Sequence, residues 1–476
     1  MKSALLLTAA LVATPALAAS PVMSPADSTA TKAMFETVIN TPTVLGRGKV
    51  PEMATYLAGE FKKAGFTDAD VMVMPYATTN PAGTAKDQTA ALMVIWHAAG
   101  KPAAKPIMLM GHMDVVEAKR EDSTTDPFVL TEKDGYYYGR GTTDMKSGIV
   151  GIARALIQLK AAGFKPKRDI VVFFTGDEET NGLGAEMGAK DWRAMMGNPE
   201  LGLNADGGGT GYTMDDKPLG ASLQTAEKTF AGYTFTTRNR GGHSSKPRKD
   251  NAIYELAHAL ERLEAYRFQP MQSETTRAYF AAAAKIDPRP AIGKAITAWL
   301  ANPNDGAAAD AVEADETYVG LTRTRCVPTR LFGGHADNAL PQLATAMINC
   351  RIFPGVDPNA IKDELAKIAG AQVTVTRNDD YVASLASPLR PDVTAAYTKA
   401  VTTLHPGMPV APEMSTGASD ARPFRVAGIP VYGVGGTWVR VPIDLRAHGK
   451  DERIPVKALD DEVRHWMILV QEMAGK

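Results

Sequence analysis

Short apolar runs that lead into acidic or histidine residues restrict the fold of this chain more than any other feature. Runs of four to six apolar residues are typical of strands that are buried on both faces. Three of them occupy residues 107–110, 170–174 and 201–204. Between the first two, residues 147–164 carry apolar side chains at helical spacing and include Gly163 as a stop signal. The order strand, helix, strand predicts an α/β fold with a mostly parallel sheet and helices on both faces.

The pattern changes twice along a chain of 476 residues, which is more than one hydrophobic core usually serves. The strand and helix alternation stops near residue 222 and returns near residue 386. We therefore predict a larger domain made of residues 19–221 and 386–476, with a smaller α+β domain, residues 222–385, inserted into it. Within the insertion, residues 271–320 are predicted to form added helices or long loops.

Composition excludes several classes of protein. Hydrophobic residues make up 45% and charged residues 22% of the chain, which is typical of a soluble globular protein and not of a disordered or fibrous one. The formal net charge of −1 gives no reason to expect a nucleic acid or an anionic membrane as a partner.

The first twenty residues have the order of a secretory signal peptide. Lys2 precedes an apolar stretch at residues 4–12, and Ala16-Leu17-Ala18 fits a small-x-small cleavage site. We predict a signal peptide at residues 1–18 and an exported mature chain, periplasmic or secreted. No later apolar run is long enough to span a bilayer, so no membrane association is expected after cleavage.

The chain has two cysteines, Cys326 and Cys350, on either side of the turn-like stretch 333–341. If that stretch joins two antiparallel strands, the cysteines lie opposite each other and can form a disulfide in an oxidising compartment. Two unpaired buried thiols are the alternative, and the sequence leaves this choice open.

Each predicted strand of the larger domain is followed by groups that bind divalent metal ions. The groups that follow the runs, or lie before a helix or after the last strand, are His112, Asp114, Asp144, Asp177, Glu178, Glu179, Asp206 and His448. In open α/β sheets ligands bind beyond the carboxyl ends of the strands. Imidazole and carboxylate are the ligands that Zn²⁺ takes in catalytic sites. One or two dications would also relieve the repulsion between three consecutive acids.

Three motifs in this region resemble a known family. They are GHMDVV (111–116), GRGTTDMKSG (139–148) and GDEE (176–179). In this order they are similar to the co-catalytic zinc exopeptidases and amidohydrolases of peptidase family M20, which include aminoacylase, carnosine dipeptidase and glutamate carboxypeptidase. The inserted domain matches through GGHSSKP, DNALP and NCRIFPG. The resemblance covers nearly all of the mature chain and implies the zinc exopeptidase fold, with the insertion as a lid and dimerisation domain.

The resemblance implies two Zn²⁺ ions per subunit, although the ligand types also suit Co²⁺ or Mn²⁺. His112, Asp144 and Asp206 would hold one ion. Asp144, Glu179 and His448 would hold the other, so that Asp144 bridges the pair. Asp114 would hydrogen-bond the imidazole of His112 and raise its basicity.

Catalytic and substrate-binding roles are implied in the same way. Glu178 would act as the general base that takes a proton from the bridging water and later delivers it to the leaving nitrogen. His243 resembles a histidine that stabilises the transition state, often from the partner subunit of a homodimer. Asn338 and Arg351 resemble residues that grip the substrate, Arg351 through its carboxylate.

We therefore predict an exported zinc-dependent metallopeptidase, a dipeptidase or exopeptidase, that hydrolyses the amide bond of short peptides. An N-acyl-amino-acid deacylase or carboxypeptidase is the first alternative, and a metal-stabilised binding protein is the non-enzymatic one. Position 206 holds Asp, whereas many carboxypeptidase-like and deacylase-like relatives carry Glu there. The direction of cleavage stays open at this point.

Overall fold

The computed structural model describes residues 22–80, 83–84, 86–287 and 289–476. The predicted signal peptide lies outside the described residues. The helices are α1 (Pro25–Ile39), α2 (Val50–Lys63), α3 (Lys146–Ala161), α4 (Leu183–Lys190), α5 (Ala252–Ala265), α6 (Glu274–Ile286), α7 (Pro290–Ala301), α8 (Gly306–Glu313), α9 (Pro358–Ala369), α10 (Pro391–Leu404), α11 (Ala421–Val426) and α12 (Val456–Ala474).

The strands are β1 (Val71–Thr79), β2 (Lys86–Trp96), β3 (Ile107–His112), β4 (Thr131–Lys133), β5 (Tyr136–Tyr138), β6 (Ile170–Thr175), β7 (Leu201–Tyr212), β8 (Pro218–Glu227), β9 (Thr229–Arg238), β10 (Gly242–His243), β11 (Arg325–Gly333), β12 (Ala339–Leu340), β13 (Leu343–Ile352), β14 (Val373–Arg377), β15 (Val410–Ser415), β16 (Val431–Arg440) and β17 (Arg453–Pro455).

A large mixed sheet forms the centre of the molecule, with the strand order β1-β2-β6-β3-β7-β16-β8-β15 among the described residues. Its central strands β6, β3, β7 and β16 run parallel to their neighbours in this group, and β1 and β2 are antiparallel additions at one edge. The predicted α/β fold with a mostly parallel sheet is confirmed.

Helices cover both faces of this sheet because successive residues of its strands point to opposite sides. Ile107 and Leu109 of β3 pack into the cluster that contains α1, α2, α3 and α12. Met108 and Met110 pack into a second cluster with α4 and α11. Strands that are apolar on both faces must lie between two helical layers, as the uninterrupted runs predict.

A smaller antiparallel sheet, in the order β11-β13-β9-β14, forms the second unit, which we call the lid. Helices α5 and α9 cover one of its faces through Leu256, Ile361 and Leu365. Strands β11 and β13 place Cys326 opposite Cys350, and the two form a disulfide. The structure therefore decides between the disulfide and the two free thiols.

The predicted boundary between residues 221 and 222 falls inside β8, and this detail is corrected. Strand β8 belongs to the large sheet along its whole length and pairs in parallel with β15. Its sequence, PLGASLQTAE, mixes small, polar and apolar residues, so it contains no continuous apolar run that would mark it as a buried strand. The lid sheet begins only at Thr229.

Helices α6, α7 and α8 fill the segment that was predicted as added helices or loops. They pack around Phe280 and Trp299 in a cluster that also contains Ala226 of β8 and Met414 of β15. This part of the insertion therefore packs against the edge of the large sheet, and Glu313 of α8 also pairs with Arg325 of the lid strand β11.

Candidate metal centre and active-site cleft

Five elements bring the predicted metal ligands to one place at the edge of the large sheet. His112 is the last residue of β3, Asp144 precedes α3, and Glu179 follows β6. Asp206 lies inside β7, which continues to Tyr212, and His448 lies in the loop before β17. The sequence placed Asp206 after the end of its strand, and this is corrected. Gly207, Gly208 and Gly209 adopt positive φ angles, which let the strand continue past Asp206 in a distorted form.

Asp144 stands between the two histidines and offers one carboxylate oxygen to each side. Its Oδ1 is 3.1 Å from Nε2 of His112, and its Oδ2 is 3.1 Å from Nε2 of His448. On the first side, Oδ2 of Asp206 is 4.0 Å from Nε2 of His112. On the second side, Oε1 of Glu179 is 3.0 Å from Nε2 of His448.

The donor set fits two divalent cations. His112, Asp144 and Asp206 form one group of potential ligands, and Asp144, Glu179 and His448 form another, with the ligand atoms of each group within 4.8 Å of one another. Two imidazoles and three carboxylates, one of them shared, are the chemistry that borderline ions such as Zn²⁺ take. The structure thus brings together all five predicted ligands.

The pKa shifts of the site residues also indicate an excess of negative charge that a cation would compensate. Burial, followed by the charges of Asp144 and Glu179, raises the pKa of Asp206 to about 7. Hydrogen bonds that the imidazole of His448 donates to the carboxylates of Asp144 and Glu179 raise the pKa of His448 to about 10. Burial disfavours a charged His112, but the surrounding carboxylates outweigh that cost and hold its pKa well above the ordinary value. The raised pKa values reflect the excess of negative charge at this site, which a bound cation would compensate.

Asp177, the first of the three consecutive acids, points away from this site. Its carboxylate accepts hydrogen bonds from Tyr76 Oη at 2.7 Å and Thr78 Oγ1 at 2.8 Å. It also accepts from the backbone N–H groups of Leu183 and Gly184 at the start of α4, where a negative charge is favourable. The three acids therefore divide into one structural residue and two that face the metal centre.

Asp114 supports the site through both its main chain and its side chain, and it raises the pKa of His112. The ring nitrogen Nδ1 of His112 lies 3.0 Å from the backbone carbonyl of Asp114, whereas the carboxylate is 3.6 Å away. That carboxylate instead accepts hydrogen bonds from the backbone N–H groups of Glu178 and Glu179 at 3.1 and 3.0 Å. Asp114 thus orients the imidazole through its main chain and holds the GDEE turn through its side chain.

Glu178 lies beside both ligand groups, and its carboxylate is within ligand distance of His112 and Glu179. Burial, together with the charges of Asp206 and Asp420, raises the pKa of Glu178 well above its ordinary value. A carboxylate with increased proton affinity is suited to accept a proton near neutral pH. Among the described residues, no side chain donates a hydrogen bond to the carboxylate of Glu178, so this carboxylate is available to a water or a substrate.

Glu452 holds the loop that carries the bridging ligand, and the sequence analysis missed it. Its buried carboxylate accepts hydrogen bonds from the backbone N–H groups of Gly141, Thr143 and Asp144 at 2.7–3.0 Å, and Arg140 pairs with it at 2.6 Å. The only available signal was its place in the charged stretch RAHGKDER, which looks like solvent-exposed loop.

A cleft of about 520 Å³ opens above the metal-ligand candidates. Glu178 and four of the five metal-ligand candidates line it on the side of the large sheet, and Phe230 and Arg351 of the lid line it opposite. The cleft therefore lies between the two units, where enzyme active sites frequently occur.

Comparison with known proteins now decides the family. The sequence model described as Peptidase family M20/M25/M40 matches residues 108–472. This chain belongs to the M20 peptidase family. A human relative, N-fatty-acyl-amino acid synthase/hydrolase PM20D1, is 28% identical over 388 residues, which cover 78% of this chain and 74% of the relative.

Solved structures show the same M20 fold. The M20 metallo-carboxypeptidase Sso-CP2 from Sulfolobus solfataricus superposes with a TM-score of 0.68 at 16% identity, over 93% of this chain and 98% of the other. The Bacillus subtilis protein YXEP, described as a dinuclear metal binding peptidase from the M20 family, gives a TM-score of 0.57 at 12% identity, over 94% of this chain and 98% of the other. The predicted family resemblance is confirmed.

Membership in the M20 family makes this protein a hydrolase that acts on amide bonds. The family includes dinuclear metal-binding peptidases, in agreement with the two ligand groups around Asp144. Among the residues that the structure describes, no helix is both long enough and apolar enough to cross a bilayer.

The three predicted substrate-binding residues do not lie together in this M20 chain. Arg351 lines the cleft. His243 lies in β10, opposite Ala339 of β12, and Asn338 directly precedes β12; the backbone N–H of Ser244 donates to the carbonyl of Asn338 at 3.0 Å. Both are exposed, and neither lines the cleft of its own subunit.

The cleft wall contains further residues that sequence reasoning missed. Tyr381 and Arg422 line it together with Phe230 and Arg351. Phe230 lies in a strand-like alternation, but Tyr381 lies in an irregular segment between β14 and α10 and carries no local signal. Arg422 lies in the first turn of α11, and nothing in its local sequence marks it as a residue of the cleft.

Proposed function

We propose that this protein is an exported, zinc-dependent M20 hydrolase that cleaves the amide bond of a short peptide or an N-acyl amino acid. The observation that carries the proposal is the position of Asp144, which presents one oxygen to His112 and the other to His448. A shared carboxylate between two imidazoles is the arrangement expected of a two-metal site, and Glu178 lies beside it.

The chain's own groups then perform the proton transfers. When bound, the two cations would polarise the scissile carbonyl and favour the deprotonation of the attacking water. Glu178 accepts the proton from that water as its oxygen adds to the carbonyl carbon. Glu178 then returns the proton to the leaving nitrogen as the C–N bond breaks, which releases an amine and a carboxylate.

Arg351 supports a substrate with a free carboxylate. Its guanidinium lies in the cleft and forms no ion pair with another described residue. Arg pairs with carboxylates through two parallel hydrogen bonds, so Arg351 would hold the carboxylate of the leaving amino acid. This contact favours the carboxypeptidase or deacylase direction over the aminopeptidase direction, a preference that agrees with the name of the human relative.

Homodimerisation through the lid is part of the proposal. His243 and Asn338 are exposed on the lid and lie outside the cleft of their own subunit. Strand β11 is an edge strand of the lid sheet and exposes Leu331 and Phe332 by 59% and 51%. An edge strand with exposed apolar side chains is a suitable surface for a second copy.

Zinc as the metal and export to the periplasm or medium are also proposals. Imidazole and carboxylate ligands suit Zn²⁺, and they suit Co²⁺ and Mn²⁺ as well. Export is supported by the order of Lys2, the apolar stretch 4–12 and Ala16-Leu17-Ala18, and by a disulfide between Cys326 and Cys350, which suits an oxidising compartment.

The test compares the wild-type protein with Glu178→Gln on dipeptides and N-acetyl amino acids, with metal added and with a chelator. The variant keeps the shape of the side chain but cannot accept the proton, so turnover should fall by about 10²–10⁴ while metal content is unchanged. Glu132→Gln is the matched control, because Glu132 is exposed and pairs only with Lys32 on the surface.

Hydrolysis that persists in Glu178→Gln at the wild-type rate would contradict the mechanism. A wild-type protein that binds metal but releases no amino acid from any of these substrates would instead be the metal-stabilised binding protein.

A further inference from the structure

Four side chains form a continuous wall along one side of the cleft. Arg351, Phe230, Tyr381 and Arg422 all line it. The guanidinium carbon of Arg351 is 5.3 Å from the centre of the Phe230 ring, and Arg351 and Phe230 are direct neighbours across β13 and β9. The ring of Tyr381 meets that of Phe230 edge to face at 6.3 Å. The guanidinium of Arg422 lies 4.3 Å from the centre of the Tyr381 ring.

The two arginines at the ends of this wall differ in their charge partners. Arg422 forms an ion pair with Glu186 at 2.7 Å, so its charge is compensated within the protein. Arg351 forms no ion pair among the described residues. The wall therefore offers one uncompensated positive charge and two aromatic rings beside it.

The cleft offers no free carboxylate that could pair with a positively charged side chain of a substrate. The acids that line the cleft are the metal-ligand candidates, Glu178 and Asp420. Asp420 is buried and accepts a hydrogen bond from the hydroxyl of Thr175. A positively charged substrate side chain beside Phe230 and Tyr381 would find no uncommitted carboxylate in this lining.

We infer that Phe230 and Tyr381 select the side chain of the leaving amino acid, and that this side chain is apolar or aromatic. The inference rests on the proposed function, in which Arg351 holds the carboxylate of that amino acid. A carboxylate and a side chain branch from the same α-carbon, so a side chain attached to a residue held by Arg351 lies next to the two rings. Contact with another ring or an aliphatic group is favourable for an aromatic ring. A negatively charged side chain would find no favourable contact with the two rings.

The experiment measures kcat/KM of the metal-loaded protein for N-acetyl-L-phenylalanine, N-acetyl-L-leucine, N-acetylglycine, N-acetyl-L-glutamate and N-acetyl-L-lysine. The phenylalanine and leucine substrates should exceed the other three by roughly tenfold or more, the usual value of a well-filled apolar pocket. Equal kcat/KM values across the panel, or a preference for glutamate or lysine, would overturn the inference.

Variants of Tyr381 test whether the aromatic side chains of the cleft wall cause the preference for apolar substrates. Tyr381→Ala should lower kcat/KM for the phenylalanine substrate by roughly tenfold and leave that for the glycine substrate nearly unchanged. Tyr381→Phe keeps the ring and should keep the preference. Phe268→Ala is the matched control, because Phe268 packs edge to face on Tyr266 of the lid and does not line the cleft. A loss shared equally by both substrates would show that Tyr381 is only structural and would overturn the inference.

Equilibrium binding separates this inference from the proposed function. Metal-loaded Glu178→Gln should bind N-acetyl-L-phenylalanine more tightly than N-acetylglycine, and the additional substitution Tyr381→Ala should remove the difference. If the wild-type protein hydrolyses nothing but this binding preference is found, the proposed function fails and the inference stands. If the protein hydrolyses all substrates and binds both ligands equally, the proposed function stands and the inference fails.

Discussion

The backbone N–H of Asp144 donates a hydrogen bond of 2.9 Å to the carboxylate of Glu452, 308 residues further along the chain. This contact ties the loop that carries the bridging ligand candidate to the segment that carries His448. Because the same carboxylate also accepts from Gly141 and Thr143, the position of Asp144 depends on one distant acidic side chain.

Glu452→Gln should therefore weaken metal binding. The groups that surround the Glu452 carboxylate are hydrogen-bond donors. The NH₂ group of a glutamine cannot accept from them, so the loop around Asp144 loses at least one hydrogen bond. Loss of a group that orients a metal ligand usually costs 10–100-fold in affinity, and we expect about that decrease. Metal titration against a competing chelator measures it, with Glu132→Gln as the surface control. Unchanged affinity would show that the loop holds its shape without Glu452.

Glu462 should make the protein less stable as the pH rises. Burial raises the pKa of Glu462 from its ordinary value of 4.5 to about 7 in the folded chain. Between these values the folded state holds a proton that the unfolded state has released, so the free energy of unfolding falls with increasing pH. One pKa unit corresponds to about 1.4 kcal/mol, so the full effect is on the order of 3 kcal/mol.

Chemical denaturation at several pH values tests this for wild type and Glu462→Gln. The difference between the two proteins should change across pH 4.5–7 and be constant above it. A difference that is independent of pH would mean that Glu462 titrates normally.

The disulfide between Cys326 and Cys350 should stabilise the lid. It closes a loop with a sequence separation of 24, and a loop of this size is worth about 3 kcal/mol on the chain-entropy account. The double variant Cys326→Ala, Cys350→Ala should lower the free energy of unfolding by about that amount. Wild-type protein with reductant should unfold at the same denaturant concentration as the variant, and no effect of reductant would contradict the prediction.

His243 should act across the dimer. His243→Ala should lower turnover strongly, because a positioned histidine near the reacting groups contributes about 10²–10⁴. Mixing this variant with inactive Glu178→Gln should restore part of the activity, since one site of each mixed dimer then contains Glu178 and His243 from different subunits. Sedimentation checks that dimers form. Mixtures that stay as inactive as their components would place His243 outside the partner's active site.

The sequence predicted the sheet and the convergence of the ligands because both follow from local patterns. Residues 107–110 and 170–174 are apolar at every position, and each must be buried on both faces. The carboxyl ends of parallel neighbours meet at one edge, which brings His112 and Glu179 together without any knowledge of the loops.

Other parts could not be predicted because their role depends on distant contacts. Asp177 is an acidic residue like its neighbours Glu178 and Glu179, and only its contacts with Tyr76 and Thr78 on another strand show that it is structural. Glu452 lies in a charged stretch, and nothing local marks it as buried. Strand β8 was divided because its sequence mixes small, polar and apolar residues, and only its pairing with β15 and β7 shows that it belongs to the large sheet.

Lys228 alone separates β8, a strand of the large sheet, from β9, the first strand of the lid. A connection of one buried residue allows the lid to turn but gives it almost no room to slide. We expect the protein to hold a substrate carboxylate, bound by Arg351, within a limited distance of the bridging carboxylate of Asp144. It should remove a single terminal unit from its substrate and leave the interior of a long polypeptide uncut.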